Sequence, residues 1–307
     1  MSLSINTNTS SMVALETLNA TQTALSATEN AVSTGKKVAT AEDSPATFGI
    51  AAQMQGNIAG QSAVNDGLTF AAKVVSNADS AANNILSVLN NIQQAVTSLG
   101  NNSSSSTSVS QINDELKGFF DQIDSIAGGA TINGVNLLTG SGSAANTTTY
   151  AGLSASGTSM VYVTGLAGQT STLSGFGSMT NLSTQAVAAG STFSAMLGIS
   201  ATTFITGGTA MSTTSLSSLI SDVQTAIQDV TRFTSKLGAS SKTIASLSSF
   251  GSTLSDNLTA GVGALTDADM SAESAKLTSL QTKQSLAIKS LTIANGQSQN
   301  ILSLFQG

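Results

Sequence analysis

The sequence predicts a mainly α protein: an elongated rod of long, coiled-coil-like helices from both chain ends, with a β-hairpin and a small central β-rich domain. Two heptad seams and an uncharged middle segment predict it. From Leu216, alternating steps of three and four reach Leu219, Val223, Ala226, Val230, Phe233, Leu237, Ser240, Ile244, Leu247, Gly251, Leu254, Leu258, Gly261 and Leu265. Only Ser240, Gly251 and Gly261 interrupt the apolar side. That alternation marks a helix laid along another helix, and at about 1.5 Å per residue it makes a rod of roughly 75 Å. The same count from Gln61 gives Val64, Leu68, Ala71, Val75, Ala78, Ala82, Ile85, Leu89, Ile92, Val96 and Leu99, many of them small enough for a close neighbour. Two unrelated amphipathic helices in one bundle would be the plainer reading; the length and regularity of both seams argue against it.

Taken in order, the first dozen or so residues carry too few apolar groups to pack alone. A helix pattern begins at Met12, with Leu15, Leu18, Leu25 and Val32 on one side and Gln22 and Glu29 interrupting it. It should stop at Gly35, which can take the left-handed C′ position, with Lys36 and Lys37 near the negative helix end. Ser44-Pro45 reads as the next start, serine capping free amides and proline lacking the N–H that would go unpaired. The long helix then runs to about Leu99. Ser108 to Gln111 fits a capping box for a third helix whose apolar side is Ile112, Leu116, Phe119, Phe120 and Ile123. Gly128-Gly129 ends it.

Asn133-Gly134, set between short apolar runs in TINGVNLL, predicts a hairpin. From Gly140 to Ser215 the chain is Ser, Thr, Gly and Ala with scattered larger residues, and Met160 to Val163 is the clearest strand candidate. Disorder fits the Ser/Gly content, but disordered segments usually carry charge and lack Phe, Leu and Met. A small β-rich or irregular domain is the expectation. After the second rod helix, Thr266-Asp267-Ala268-Asp269 can cap a last helix. Its seam is Leu277, Leu280, Gln284, Ala287, Leu291, Ala294, Ser298, Ile301 and Phe305, out of phase with the helix before it.

Composition narrows the function classes. The chain of 307 residues has no Cys, His or Trp, and 8% of its residues are charged. The usual general base and the commonest transition-metal ligands are therefore missing, and no cofactor is implied. A net charge of −6 with ten Lys and Arg disfavours nucleic-acid binding. No Asp, Glu, Lys or Arg lies between Asp124 and Asp222. The start of the chain has no basic n-region or apolar h-region, and no run is apolar and long enough to span a membrane. Asp267 and Asp269 could pair as catalytic carboxylates, but helix capping explains them better. Lys276, Lys283 and Lys289 read as a solvated helix side.

Three strings go beyond periodicity: SINTNTSSMVALETLNATQTALSATENAVSTGKKV at the start, TINGVNLLTG after the third helix, and LTAGVGALTDADM through NILSLFQG at the end. Together they resemble a bacterial flagellin over about 1–140 and 216–307, and DAD followed by ESAKL and LQTKQ is most like the flagellins of alpha-class proteobacteria. The resemblance implies that 1–45 with 266–307 form inner-tube terminal helices. It implies a helical rod with a hairpin from 46–140 with 216–265, and an outer, surface-exposed variable domain from 141–215.

The resemblance also implies a structural subunit that self-assembles into the helical flagellar filament used for swimming, not an enzyme. Its implied self-assembly seam is Leu15, Leu18, Leu25, Val32, Leu277, Leu280, Leu291, Ile301 and Phe305. The implied rod seam is Leu68, Val75, Ile85, Leu89, Ile92, Leu219, Val223, Val230, Leu237, Leu254 and Leu258. Implied partners are other flagellin subunits in a homopolymer or mixed filament, hook–filament junction and cap proteins, an export chaperone and the flagellar type III apparatus. The implied location is extracellular, in the flagellum, reached without a cleaved signal peptide and without membrane insertion. In members that stimulate the animal flagellin receptor, the late long helix presents an arginine, a glutamate and a leucine; Asn91, Gln94 and Ala95 stand there in this chain. The runner-up is a Ser/Thr-rich surface adhesin on a helical stalk. A helical pore-forming toxin would need a contiguous apolar hairpin, and the apolar runs here are broken by Ser, Thr, Asn and Gln.

Overall fold

A single glycine and a single proline bracket the first connection, and the helices on either side follow from them. Helix α1 (Thr9–Thr34) ends at Gly35, whose φ of 70° supplies the left-handed cap. Helix α2 (Pro45–Asn101) opens on the chain's one proline. In the computed structural model, residues 8–101, 105–139, 154–156, 159–176 and 213–305 are described, excepting the side chains of 106, 154–156, 213–215 and 297–305. The remaining described elements are α3 (Ser106–Gly129), strands β1 (Ser154–Ser156), β2 (Ser159–Val163) and β3 (Thr170–Ser174), and helices α4 (Thr213–Thr266) and α5 (Met270–Phe305).

Several helix starts differ from the sequence reading. The first helix begins at Thr9, one turn before Met12, because the Asn8 side chain accepts the Ser11 amide at 3.1 Å. The third is capped by Ser105, which accepts from the Ser108 amide, so the cap lies three residues before the expected Ser108 box. At α2 the Ser44 hydroxyl meets Thr47 Oγ1 at 2.9 Å rather than an amide. Of the two acids before α5, Asp269 caps it by accepting from the amides of Ser271 and Ala272. Asp267 instead bridges to Lys36.

These helices carry few charges and many hydroxyls. Threonine in a helix interior competes for backbone partners, and here the competition is resolved locally. Thr225, Thr231 and Thr253 each donate to the carbonyl four residues back.

The chain divides into two compact units, 1–58 with 256–307 and 59–255. In the second unit α2 and α4 run antiparallel, since Gly100 lies at Leu216 and Gly251 lies at Gln61. The predicted rod seam forms this unit's core except at Leu254 and Leu258, which are half-buried outside that core, Leu258 in the first unit. Leu68, Val75, Ile85, Leu89 and Ile92 are buried with Leu219, Val223, Val230 and Leu237, while α3 adds Leu116, Phe120 and Ile123.

Asn133 and Gly134 both take positive φ, 49° and 81°, as a two-residue type I′ turn requires. The expected hairpin is minimal: Ile132 and Val135 exchange one pair of backbone hydrogen bonds. Asn136 then ties it to the end of α3, donating to the Ala127 carbonyl at 2.7 Å.

Strands β1, β2 and β3 form an antiparallel sheet in that order, with Met160 opposite Leu173 and Tyr162 opposite Ser171. The expected Met160–Val163 strand is β2. Its buried side joins the helical core rather than a core of its own: Met160, Tyr162, Leu173 and Phe176 are buried in the same cluster. Phe176 meets Phe233 of α4 edge-to-face at 5.4 Å, and its amide donates to the Leu137 carbonyl. The rest of 140–212 lies outside the described residues.

Candidate self-assembly surface

The two terminal helices pair with each other within one chain. Asn8 donates to the Ala294 carbonyl, Gln284 to the Gln22 side chain, and the backbones of Lys36 and Asp267 form an isolated antiparallel β-bridge, so α1 and α5 run antiparallel. Their shared face is lean. Thr21, Leu25 and Thr28 of α1 are buried with Leu280, Ala287 and Ala294 of α5. Leu18, Val32, Leu277 and Leu291 are half-buried in the same pair.

Of the expected self-assembly seam, then, Leu25 and Leu280 are spent inside the chain, and Leu15 alone stands open among the described side chains. Ile301 and Phe305 lie outside the residues whose side chains are described.

A second apolar strip, missed in the sequence, takes the open position. Val13 is 62% exposed, Leu286 63% and Ile293 67%. They line one groove of about 540 Å³ between α1 and α5, floored by Ala14, Ala287 and Ala294 and with Lys283 on its lining. Met12, Leu15 and Ile288 are also exposed, outside the lining of this groove. Leu286 and Ile293 are one heptad apart, a signal available once the inner seam is subtracted from α5. Large exposed apolar side chains in contiguous groups mark a surface that another molecule covers.

The receptor-equivalent positions divide. Asn91 and Gln94 are exposed on α2, whereas Ala95 is buried at 7% exposure. Among the described residues no group of three or more metal-ligating side chains occurs, and no helix is long and apolar enough to cross a membrane.

Helices from both chain ends are thus paired antiparallel, close on a lean seam and leave an apolar groove open. Residues 5–143 match the bacterial flagellin N-terminal helical region, and residues 220–305 match the bacterial flagellin C-terminal helical region. Flagellin FljK of Caulobacter vibrioides is 33% identical over 303 residues, covering 99% of this chain and 98% of its own. A flagellin of Brucella melitensis is 33% identical over 305 residues, covering 99% of each. Flagellin C of Rhizobium meliloti is 33% identical over 321 residues, again covering 99% of each. The chain belongs to the bacterial flagellin family. It is a structural subunit of the flagellar filament and polymerises with flagellin subunits, and nothing in the comparisons supports the adhesin reading.

Proposed function

We propose that the groove and strip on the α1–α5 pair are the surface through which subunits of this chain join, and that the filament they build serves swimming. The observation that carries the reading is the exposure of Val13, Leu286 and Ile293 around one groove. Three large apolar side chains each leave about 1.5–3 kcal/mol of transfer free energy unrealised in the lone subunit. A neighbour that covers them recovers it. Repeating that contact with a fixed rotation gives an open helical polymer.

On this reading 1–45 with 266–307 form the inner tube. Residues 46–140 with 216–265 form the rod, and 141–215 the outer surface. The half-buried Leu18, Val32, Leu277 and Leu291 hold the pair together, while the exposed Leu15 offers a neighbour a separate contact. Ile301 and Phe305 remain proposed members of the self-assembly seam. Export through the flagellar type III apparatus without a cleaved signal peptide, with a chaperone, and contact with junction and cap proteins at the filament ends complete the proposal.

Elongation from purified filament seeds tests it. Leu286→Ser with Ile293→Ser in the full chain is expected to abolish elongation and leave the 59–255 unit folded. Elongation at the unsubstituted rate would overturn the assignment.

A further inference from the structure

Few side chains in the α1–α5 seam are both large and fully buried. Thr21, Thr28, Ala287 and Ala294 are buried with only two leucines, Leu25 and Leu280, while Leu18, Val32, Leu277 and Leu291 are half-buried. Large knobs seated in defined holes are what pin one helix against another, and a seam of small side chains slides at low cost. Of the side-chain ties along it, Gln22 to Gln284 at 3.4 Å and Ser11 to Asn295 at 2.7 Å are exposed and compete with water, and Asn8 to the Ala294 carbonyl at 2.9 Å is partly buried.

Direct backbone bonds add to the register at one end. The linker after α1 crosses the linker before α5, and the backbones bond directly. The amides of Lys37 and Val38 donate to the Thr266 carbonyl at 2.8 and 3.3 Å, and the Ala268 amide donates to the Gly35 carbonyl at 2.9 Å. Val38 and Thr266 are buried there, at 8% and 5% exposure. Over this crossing, on the solvent side, the exposed Lys37 Nζ donates to the Ala264 carbonyl at 3.1 Å, in the last turn of α4. A cation there satisfies a terminal carbonyl and meets the negative end of the helix. The side chain of Lys36, one residue away, makes no hydrogen bond or ion pair among the described residues.

We propose that Lys37 is a positioning residue for assembly. By capping α4 it holds the two linkers crossed, which sets the register of α1 on α5 and so the shape of the groove lined by Val13, Leu286 and Ile293. The inference rests on the filament reading. Lys37 acts through the helix pair and not by touching a neighbouring subunit.

The test uses full-length protein in seeded elongation, with Lys37→Met, Lys37→Arg and Lys36→Met. Methionine keeps the apolar stem and loses the donor, arginine keeps the donor, and Lys36→Met removes the same charge without the tie. Lys37→Met is expected to slow elongation about fivefold, Lys37→Arg to restore it to within about twofold, and Lys36→Met to leave it unchanged.

A second measurement reads register directly. The chain has no cysteine, so Gln22→Cys with Gln284→Cys forms one unambiguous crosslink, expected to close more slowly when Lys37→Met is added. Equal elongation by Lys37→Met and the parent, equal loss by Lys36→Met, or an unchanged crosslink rate would each overturn the proposal. Failure of the parent itself to elongate would instead strike the filament reading.

Discussion

The side-chain amide of Gln61 lies over the Cα of Gly251, which interrupts the α4 seam between Leu247 and Leu254. A Cβ built on Gly251 would overlap Gln61 Nε2 and Asn65 Oδ1. Gln61 is buried at 4% exposure and donates to Asn65. The glycine that interrupts the heptad is thus room for an amide. Gly251→Ala should gain about 1 kcal/mol of helix propensity. It should lose about 1–3 kcal/mol by displacing a buried amide from its partner, so net destabilisation of about 1 kcal/mol is expected. In a Gln61→Ala background the same substitution should cost less, with only Asn65 left to move aside for the added methyl. Urea unfolding of the four proteins in this cycle measures the coupling, and additivity within about 0.3 kcal/mol would show the two sites independent.

Thr28 poses the opposite case. It is 1% exposed in the α1–α5 pair, and its hydroxyl has no hydrogen-bond partner. A buried unpaired hydroxyl costs about 1–3 kcal/mol. Thr28→Val keeps the shape and removes the donor, so filaments of that variant are expected to dissociate at a higher temperature than the parent. Thr28→Ser keeps the hydroxyl and opens a methyl-sized gap, and should lower it. A lower dissociation temperature for valine would mean the hydroxyl finds a partner in the polymer.

The seams were legible because they are long. From Leu68 to Leu99 and from Leu219 to Ile244 the counted positions of each seam are buried apart from Ser240, which is half-buried. One error of phase would have moved all of them. The caps were less legible: Ser105 and Ser108 have the same chemistry, and only the backbone path decides which one caps. The Val13–Leu286–Ile293 strip was missed because α5 carries apolar residues on more than one side, and the first seam counted took the inner one. Asn136 and the Phe176–Phe233 contact depend on segments brought together by the fold, which no local period reports.

Asp43 anchors a pH-sensitive turn. Its carboxylate accepts from the amides of Thr40 and Ala39, each at 2.9 Å, and from the Thr40 hydroxyl. The amide bond from Thr40, then that from Ala39, hold its pKa below the ordinary 3.8. A depressed carboxylate stabilises the fold above its unfolded-state pKa and loses that contribution as pH falls through the folded value. Loosening of the 39–43 turn is therefore expected only below about pH 3.8. Amide exchange at Ala39 and Thr40, followed from about pH 6 down to about pH 3 and corrected for intrinsic rates, checks it. Loss of protection already at about pH 5 would show that Asp43 does not hold the turn.

The animal receptor that senses flagellins should respond weakly to this chain. By resemblance, stimulating members present an arginine, a glutamate and a leucine where this chain has Asn91, Gln94 and Ala95. Asn91 and Gln94 are exposed on α2 and so stand where a partner could meet them. Asparagine lacks the planar cation that pairs bidentately with a carboxylate, and glutamine lacks the opposite charge. Truncating such interface anchors often costs about 2 kcal/mol or more, which is roughly thirtyfold in affinity. The purified subunit is expected to be a correspondingly poor stimulus in a reporter-cell assay, and Asn91→Arg with Gln94→Glu should raise it. Ala95 differs from both. It is buried in the α2 core, so Ala95→Leu would overpack that core and cost about 1–3 kcal/mol of stability rather than add contact area. The double variant should therefore outperform the triple one at equal concentration. Stimulation by the unsubstituted subunit equal to that of a strongly stimulating flagellin would sink the idea, and so would a triple variant more active than the double.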